Sequence, residues 1–176
     1  MMATVPATRA GEWQEEGSDL HQLYREHQWS LLRLASLLLR EPADAEEVVQ
    51  DAFVKVYLAQ GRLRDPDKAL AYVRSAVLNG ARSRLRHLRV VRSVEPAPAR
   101  SAESAEAEAI GREETRTMMA ALWSLPVRQR ESLALRYYLD LSEAEIAATL
   151  GISGGSVKTH VHRGLAALAT RLERTP

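Results

Sequence analysis

Two groups of side chains in this 176-residue chain have types and spacings suited to holding a polyanion. Asn79, Arg82, Arg86 and Arg89 recur three, four and three residues apart, and a helix gathers them within about 80° of arc. Guanidinium forks grip phosphate oxygens in pairs. Lys158, Thr159, His162 and Arg163 form a second group of short or basic polar residues that could reach base edges and phosphates. Covalent and metal chemistry find much less. The chain has no cysteine, which excludes disulfides, thiolate nucleophiles and cysteine zinc sites. It has no glycine-rich phosphate loop and no H-E-x-x-H. His160 and His162 point to different sides of a helix, and His21, His27 and His87 are scattered, with no carboxylate partner at useful spacing. The expectation is a binding protein, not an enzyme, with no cofactor, metal or small-molecule substrate.

Charge along the chain sharpens this reading. The formal net charge is only +1, yet residues 1–58 carry −5, 62–92 carry +7, 93–114 carry −4 and 115–176 carry +3. The basic residues comprise 21 Arg and 3 Lys; high-GC coding bias would give the same excess as selection for phosphate contact. A solvated basic face would look similar to the Arg82–Arg89 stripe. No acidic residue compensates that stripe between Lys68 and Val94, so a polyanion partner is the better reading.

These groups need elements to hold them. Asp19 can cap a helix running to about Arg40, with Pro42 after its stop. Asp44 and Glu47 have capping-box spacing for a second helix, whose apolar Val48, Val49, Ala52, Phe53 and Val56 leave Glu46, Glu47, Gln50 and Asp51 outside. Gly61–Asp67 reads as a turn. A third helix, about Ala69–Arg89, lines Leu70, Val73, Val77, Ala81, Leu85 and Leu88 along one arc of about 120°, opposite the Asn79–Arg89 face. Arg84 falls near the apolar arc and spoils the separation. Val94–Ala109, rich in Pro, Ala, Ser and Glu, reads as an acidic linker. Met118, Met119, Leu122 and Leu125 suggest a core-facing helix ending before Pro126, and another helix spans about Val127–Tyr138.

Leu141–Leu168 has the marks of a helix-turn-helix. Ser142 and Glu145 make a capping box, Ala147 sits where the helices approach, and Gly151 suits a left-handed helix end. Ser153 can cap the second helix, with Val157, Val161, Leu165 and Leu168 as its apolar stripe. The longest apolar run, within Leu31–Leu39, is interrupted by Arg33 and too short to span a bilayer. The polar N-terminus lacks the apolar core of a signal peptide. The chain reads as intracellular.

The stretches DAEEVVQDAFVKVY, AYVRSAVLNGARSRLR, LWSLPVRQRESLALRYY and LSEAEIAATLGISGGSVKTHVHRGLAAL, in this order, resemble a bacterial RNA polymerase sigma factor of the extracytoplasmic-function (ECF) group, actinobacterial type. The resemblance implies an all-α fold of two small helical domains joined by a flexible linker. Residues 1–18 would be a disordered tail, 19–92 a region 2 domain, 93–112 the linker and 113–174 a region 4 domain. It implies that Glu47, Gln50 and Asp51 dock on the β′ clamp helices of core polymerase, with the β flap as a further contact. It implies that Tyr72, Asn79, Arg82, Arg86 and Arg89 recognise and melt the −10 element, Asn79 lying near the flipped non-template base and Gly61–Lys68 forming the loop beside it. Ser156, Lys158, Thr159, His162 and Arg163 would read the −35 element in duplex DNA. The partners implied are core polymerase, duplex and single-stranded promoter DNA and an anti-sigma factor, without membrane insertion.

Some positions depart from the family pattern. Tyr72 stands where many relatives have Trp, Ser83 replaces a common Asp, and His160 occupies a place that is often Arg or Ser. Gly80 lies inside the melting helix, at a cost of about 1 kcal/mol relative to Ala. Gly154 and Gly155 open the recognition helix with little side-chain information. These bear on promoter sequence rather than class. A dimeric duplex-only repressor would need a dimerisation helix or ligand pocket, and neither is apparent; it would not need the basic third helix.

Overall fold

A computed structural model of the chain describes residues 18–59, 65–94 and 109–173. Among the described residues there are seven α-helices and no strand: α1 Ser18–Leu38, α2 Pro42–Ala59, α3 Pro66–Val94, α4 Ala109–Trp123, α5 Val127–Leu133, α6 Glu143–Leu150 and α7 Gly154–Leu172. Of the expected tail only Ser18, which opens α1, is described, and most of the expected linker and Gly61–Asp67 turn lie outside the described residues.

Several helix ends differ from expectation. Helix α1 stops at Leu38, two residues before Arg40. Helix α3 is longer at both ends, and its first residue is Pro66, whose fixed φ and missing N–H suit that position. Helix α4 begins at Ala109, inside the segment expected as linker. Asp44 is not a cap. It lies in the first turn of α2, is 6% exposed, and accepts a hydrogen bond from Arg84 Nη2 at 2.5 Å. This contact explains why Arg84 can project near the apolar arc of α3: a part-buried guanidinium needs a carboxylate. The expected helix over Val127–Tyr138 is α-helical only to Leu133, and Ala134–Tyr138 form a π-helical turn.

The apolar arcs lie where periodicity puts them. Val48, Val49, Ala52, Phe53 and Val56 of α2 are buried against Val73, Val77 and Ala81 of α3 and Leu31, Leu34 and Leu38 of α1. Leu70 and Leu85 are partly buried on the same core. Gly80 has a structural reason: a Cβ there would sit 2.9 Å from Val48 Cγ1. The helix-propensity cost of this glycine lets α2 and α3 approach.

The two halves of the chain are not separate. Helix α1 touches α4, α5 and the π-helical turn, and α3 touches α6. Leu135, Leu141, Ile146, Leu150 and Val157 join the same buried cluster as the residues of α1–α3. Polar bonds pin this junction. Arg130, 6% exposed, donates to Leu38 O at 2.5 Å and to Trp123 O and Leu125 O at 2.7 and 3.0 Å. It thereby satisfies carbonyls at the ends of α1 and α4 that no helical N–H can reach. Trp123 Nε1 donates to Ser36 O at 3.3 Å, and its ring lies under Arg40 at 5.8 Å.

Gly80→Ala should therefore destabilise the chain by about 1–3 kcal/mol by overpacking, despite alanine's better helix propensity. Thermal unfolding should show the loss, and adding Val48→Ala should recover part of it. A more stable Gly80→Ala would show that the α2–α3 approach is not tight.

Candidate nucleic-acid interface

Helix α3 carries the first candidate face. Tyr72, Asn79 and Arg86 recur at seven-residue spacing and so share a line along the helix. Tyr72 is 40% exposed, and Asn79, Arg86 and Arg89 are exposed. Tyr72 also lines, with Lys55, Leu58 and Ala59 of α2, an open depression of about 320 Å³. Leu58 and Tyr57 beside it are themselves exposed.

Arg82 is held differently. Its Nε and Nη2 donate to Glu131 Oε1 and Oε2 of α5 at 2.5 and 3.0 Å, while Nη1 donates to Asn79 Oδ1 at 2.9 Å. The Glu131 side chain is 1% exposed, and Arg128 Nη1 lies 3.4 Å from its Oε2. Thus Asn79 and Arg82 come together, but their shared site is closed by a carboxylate from the other half. Arg74 and Ser75, which sequence reasoning passed over, face the same junction. Ser75 Oγ lies 3.5 Å from Thr149 O of α6. Burial pulls the Arg74 guanidinium below its usual value, with Glu145 of α6 opposing.

The acidic face of α2 is largely solvent-facing. Glu46, Glu47, Gln50 and Asp51 are exposed, and Glu47 Oε2 lies 3.9 Å from Arg84 Nη2. The hydrogen bond from Arg84 to Asp44 raises the guanidinium above its usual value, against a smaller desolvation effect.

The helix-turn-helix is built as its sequence indicates. Ser142 Oγ accepts from Glu145 N at 3.3 Å, and Ser142 N donates to Glu145 Oε2 at 2.8 Å. Gly151 has φ 64°, the left-handed region. Ser153 Oγ accepts from Ser156 N at 3.2 Å, capping α7. Before α6 the chain turns through Asp140 at φ 51°, a conformation short polar side chains tolerate. Along α7, Val157 is buried and Val161 partly so, but Leu165 is 42% exposed and does not belong to the expected stripe. The buried row instead passes through Gly164 to the partly buried Leu168. Repeated four-residue steps rotate around a 3.6-residue helix, and a three-residue step restores the direction.

On the outer side of α7, Lys158, Thr159, His162 and Arg163 are exposed. Lys158 Nζ lies 3.5 Å from Glu143 Oε2 of α6, and Thr159 Oγ1 donates to Gly155 O at 2.9 Å. Ser156 is half-buried, its Oγ 2.9 Å from that of Ser153. Four of the five candidates therefore form one exposed surface, and Ser156 sits at its capped edge. Among the described residues no cluster of His, Asp and Glu is arranged to hold a metal ion, and no helix is long and apolar enough to cross a membrane.

Residues 23–90, which contain most of α1–α3, match the family model for sigma-70 region 2. Residues 115–168, which contain the helix-turn-helix, match that for sigma-70 region 4. An RNA polymerase sigma-E factor of Streptomyces antibioticus is 33% identical over 162 residues, covering 91% of this chain and 88% of the relative. The ECF RNA polymerase sigma factor SigM of Mycobacterium tuberculosis is 31% identical over 156 residues, covering 86% of this chain and 76% of the relative. The chain belongs to the ECF sigma factors of bacterial RNA polymerase. Members of this family serve generally as transcription initiation factors.

Solved structures agree on the sigma fold. The structure of CnrH in complex with the cytosolic domain of CnrY has TM-score 0.68 and 26% identity, covering 89% of both chains. The sigma factor RpoE in complex with the anti-sigma factor NepR from Bartonella quintana has TM-score 0.73 and 24% identity. It covers 90% of this chain and 99% of that one.

The capping box of this sigma factor gives a direct prediction. Hydrogen bonds from the Ser142 hydroxyl and then its backbone N–H hold the Glu145 carboxyl below its usual 4.5. A depressed folded pKa stabilises fully above the unfolded value, and that contribution is lost as pH falls through the folded value. The Ser142 amide proton should titrate in NMR with a midpoint below 4.5; a midpoint at or above it would contradict the box.

Proposed function

We propose that this sigma factor binds core RNA polymerase through α2 and directs it to promoters by reading the −35 element with α7 and opening the −10 element with α3. The observation that carries the reading is α3 itself. An exposed aromatic ring, an amide and a guanidinium lie along one line beside an open depression, at the foot of a basic helix. A flipped base can stack on Tyr72 and hydrogen-bond to Asn79, while Arg86 and Arg89 hold phosphates of the same strand. The depression between Lys55, Leu58, Ala59 and Tyr72 offers room beside that line.

Helix α7 suits duplex DNA for a different reason. Its Lys158, Thr159, His162 and Arg163 form two adjacent rows at four-residue spacing on the side away from the core. That is how a recognition helix meets a major groove. The exposed Glu47, Gln50 and Asp51 of α2 suit basic residues on the clamp helices of β′, and the β flap is a further contact for the second half. The likeness to CnrH, whose structure is a complex with the cytosolic domain of CnrY, supports an anti-sigma factor as an additional partner. The chain works in the cytoplasm, where polymerase and promoter are, and carries no chemistry of its own.

Core polymerase reconstituted with the chain should start transcripts at a defined set of sites, found by sequencing their 5′ ends. On such a promoter, Asn79→Ala should impair opening, read as permanganate reactivity of unpaired thymines, while leaving core binding intact. A pre-melted template should recover part of the loss. Wild-type opening would remove Asn79 from the −10 site.

Charge reversal at Glu47 and Asp51 tests the docking face separately. Both side chains are exposed, so the doubly reversed chain should fold normally and lose at least tenfold in affinity for core polymerase. Unchanged affinity in a pull-down would remove α2 from the docking surface.

A further inference from the structure

The exposed surface of α7 is basic along its length but mixed in sign at one point. From Gly154 to Leu172 the helix carries Lys158, Arg163 and Arg171 and no acidic residue. A carboxylate reaches it from α6 instead: Glu143 Oε2 lies 3.5 Å from Lys158 Nζ. Glu143 is the first residue of α6, directly after the Ser142 cap. It shares one side of that helix with Ile146, Ala147 and Leu150, and Ile146 and Leu150 are buried in one cluster with Val157 of α7. Its neighbour Glu145 is committed to the capping box through Ser142 N and Oγ. The backbone under Glu143 is thus fixed, and its carboxylate stands beside the lysine of the reading helix.

As a stabilising ion pair this contact is worth little, because the two side chains are 69% and 47% exposed. It is, however, a donor and an acceptor side by side on a surface suited to a major groove. A G·C base pair shows the complementary pattern there: guanine offers N7 and O6 as acceptors, and cytosine offers the N4 amino group as a donor. O6 and N4 are themselves hydrogen-bonded, about 2.9 Å apart. An ammonium and a carboxylate 3.5 Å apart can therefore each meet one of them. A C·G or an A·T pair in the same place sets donor against donor and acceptor against acceptor. A T·A pair keeps the polarity but puts the thymine methyl where guanine has N7. A phosphate is a poor partner for this lysine, because Glu143 would repel it.

We propose that Glu143 and Lys158 together read one G·C base pair of the −35 element, Lys158 on guanine O6 and N7 and Glu143 on cytosine N4. The proposal rests on the assignment of α7 to duplex DNA and adds to it a specificity-determining residue from α6. Glu143 fixes which strand carries the guanine and withholds Lys158 from sequence-independent contacts.

The test uses reconstituted holoenzyme and a promoter located by its transcript starts. Each base pair of the −35 element is reversed in turn, and affinity is measured by competition against the labelled native fragment. For the native chain one G·C pair should lose about tenfold on reversal to C·G. Glu143→Ala should cut that ratio to about threefold and leave the ratios at other positions within about twofold of native. It should also bind unrelated duplex more tightly and with a steeper salt dependence, since an unaccompanied Lys158 can take a phosphate. Glu143→Gln, whose amide oxygen still accepts from N4, should keep most of the preference. Circular dichroism should be unchanged in both variants, because the capping box does not use the Glu143 side chain.

A native −35 element in which no G·C pair responds to reversal would overturn the proposal without any variant. So would an unchanged profile for Glu143→Ala, or equal losses in Glu143→Ala and Glu143→Gln. If Lys158→Ala alters the profile and Glu143→Ala does not, the duplex reading of α7 stands and the paired reading falls. If Lys158→Ala and Arg163→Ala both leave −35-dependent binding intact, α7 is not the reader and the paired reading falls with it.

Discussion

Two neighbouring charges on one short helix hold this molecule together. Arg130 and Glu131 of α5 are both buried, and each reaches into the other half: Arg130 to the last carbonyl of α1, Glu131 to the guanidinium of Arg82 on α3. A buried ion costs several kcal/mol unless its hydrogen-bonding capacity is met. Arg130 meets most of it with three carbonyls at the ends of α1 and α4, its buried Nε staying unpaired, and burial pulls its guanidinium below the usual value, Arg40 adding to the effect. Glu131 meets it with Arg82 and Arg128. The apolar surface between the halves could hold several relative placements. Two buried charges with fixed partners select one.

This explains what could and could not be read from the residues. The capping box at Ser142, the left-handed Gly151 and the cap at Ser153 are local: every partner lies within four residues, so composition and spacing suffice. The apolar arcs of α2 and α3 are likewise local. The candidate surface of α7 could be read for the same reason, since a side that is not apolar faces solvent. Arg84 could not be explained, because Asp44 is 40 residues away in the chain. Nor could Glu131, whose partner is 49 residues away. A charge on a helix looks the same in the sequence whether it meets solvent or a distant counterion. Leu165 falls off the buried row for a geometric reason: repeated four-residue spacing approximates the helix period only over a couple of turns.

The basic character of α3 is therefore graded rather than uniform. Between Lys68 and Val94 the sequence has no carboxylate, but the fold supplies carboxylates to the arginines of α3 selectively. Arg84 is matched by Asp44 and Glu47, and Arg82 by Glu131. Arg86 and Arg89, nearer its C-terminal end, stay exposed. A polyanion approaching the helix meets these open charges first and the occupied one afterwards. Salt weakens the first encounter strongly, because exposed charges are screened. It weakens the Arg82–Glu131 contact much less, because that pair is shielded from solvent.

Arginine at position 82 suits this junction better than lysine would. A lysine could satisfy Glu131 as a point charge, but it would carry no directional preference. The planar guanidinium offers parallel donors whose spacing matches a carboxylate, and its remaining Nη1 donates to Asn79 Oδ1 on its own helix. The pair therefore fixes the orientation of α5 against α3 as well as the distance between them.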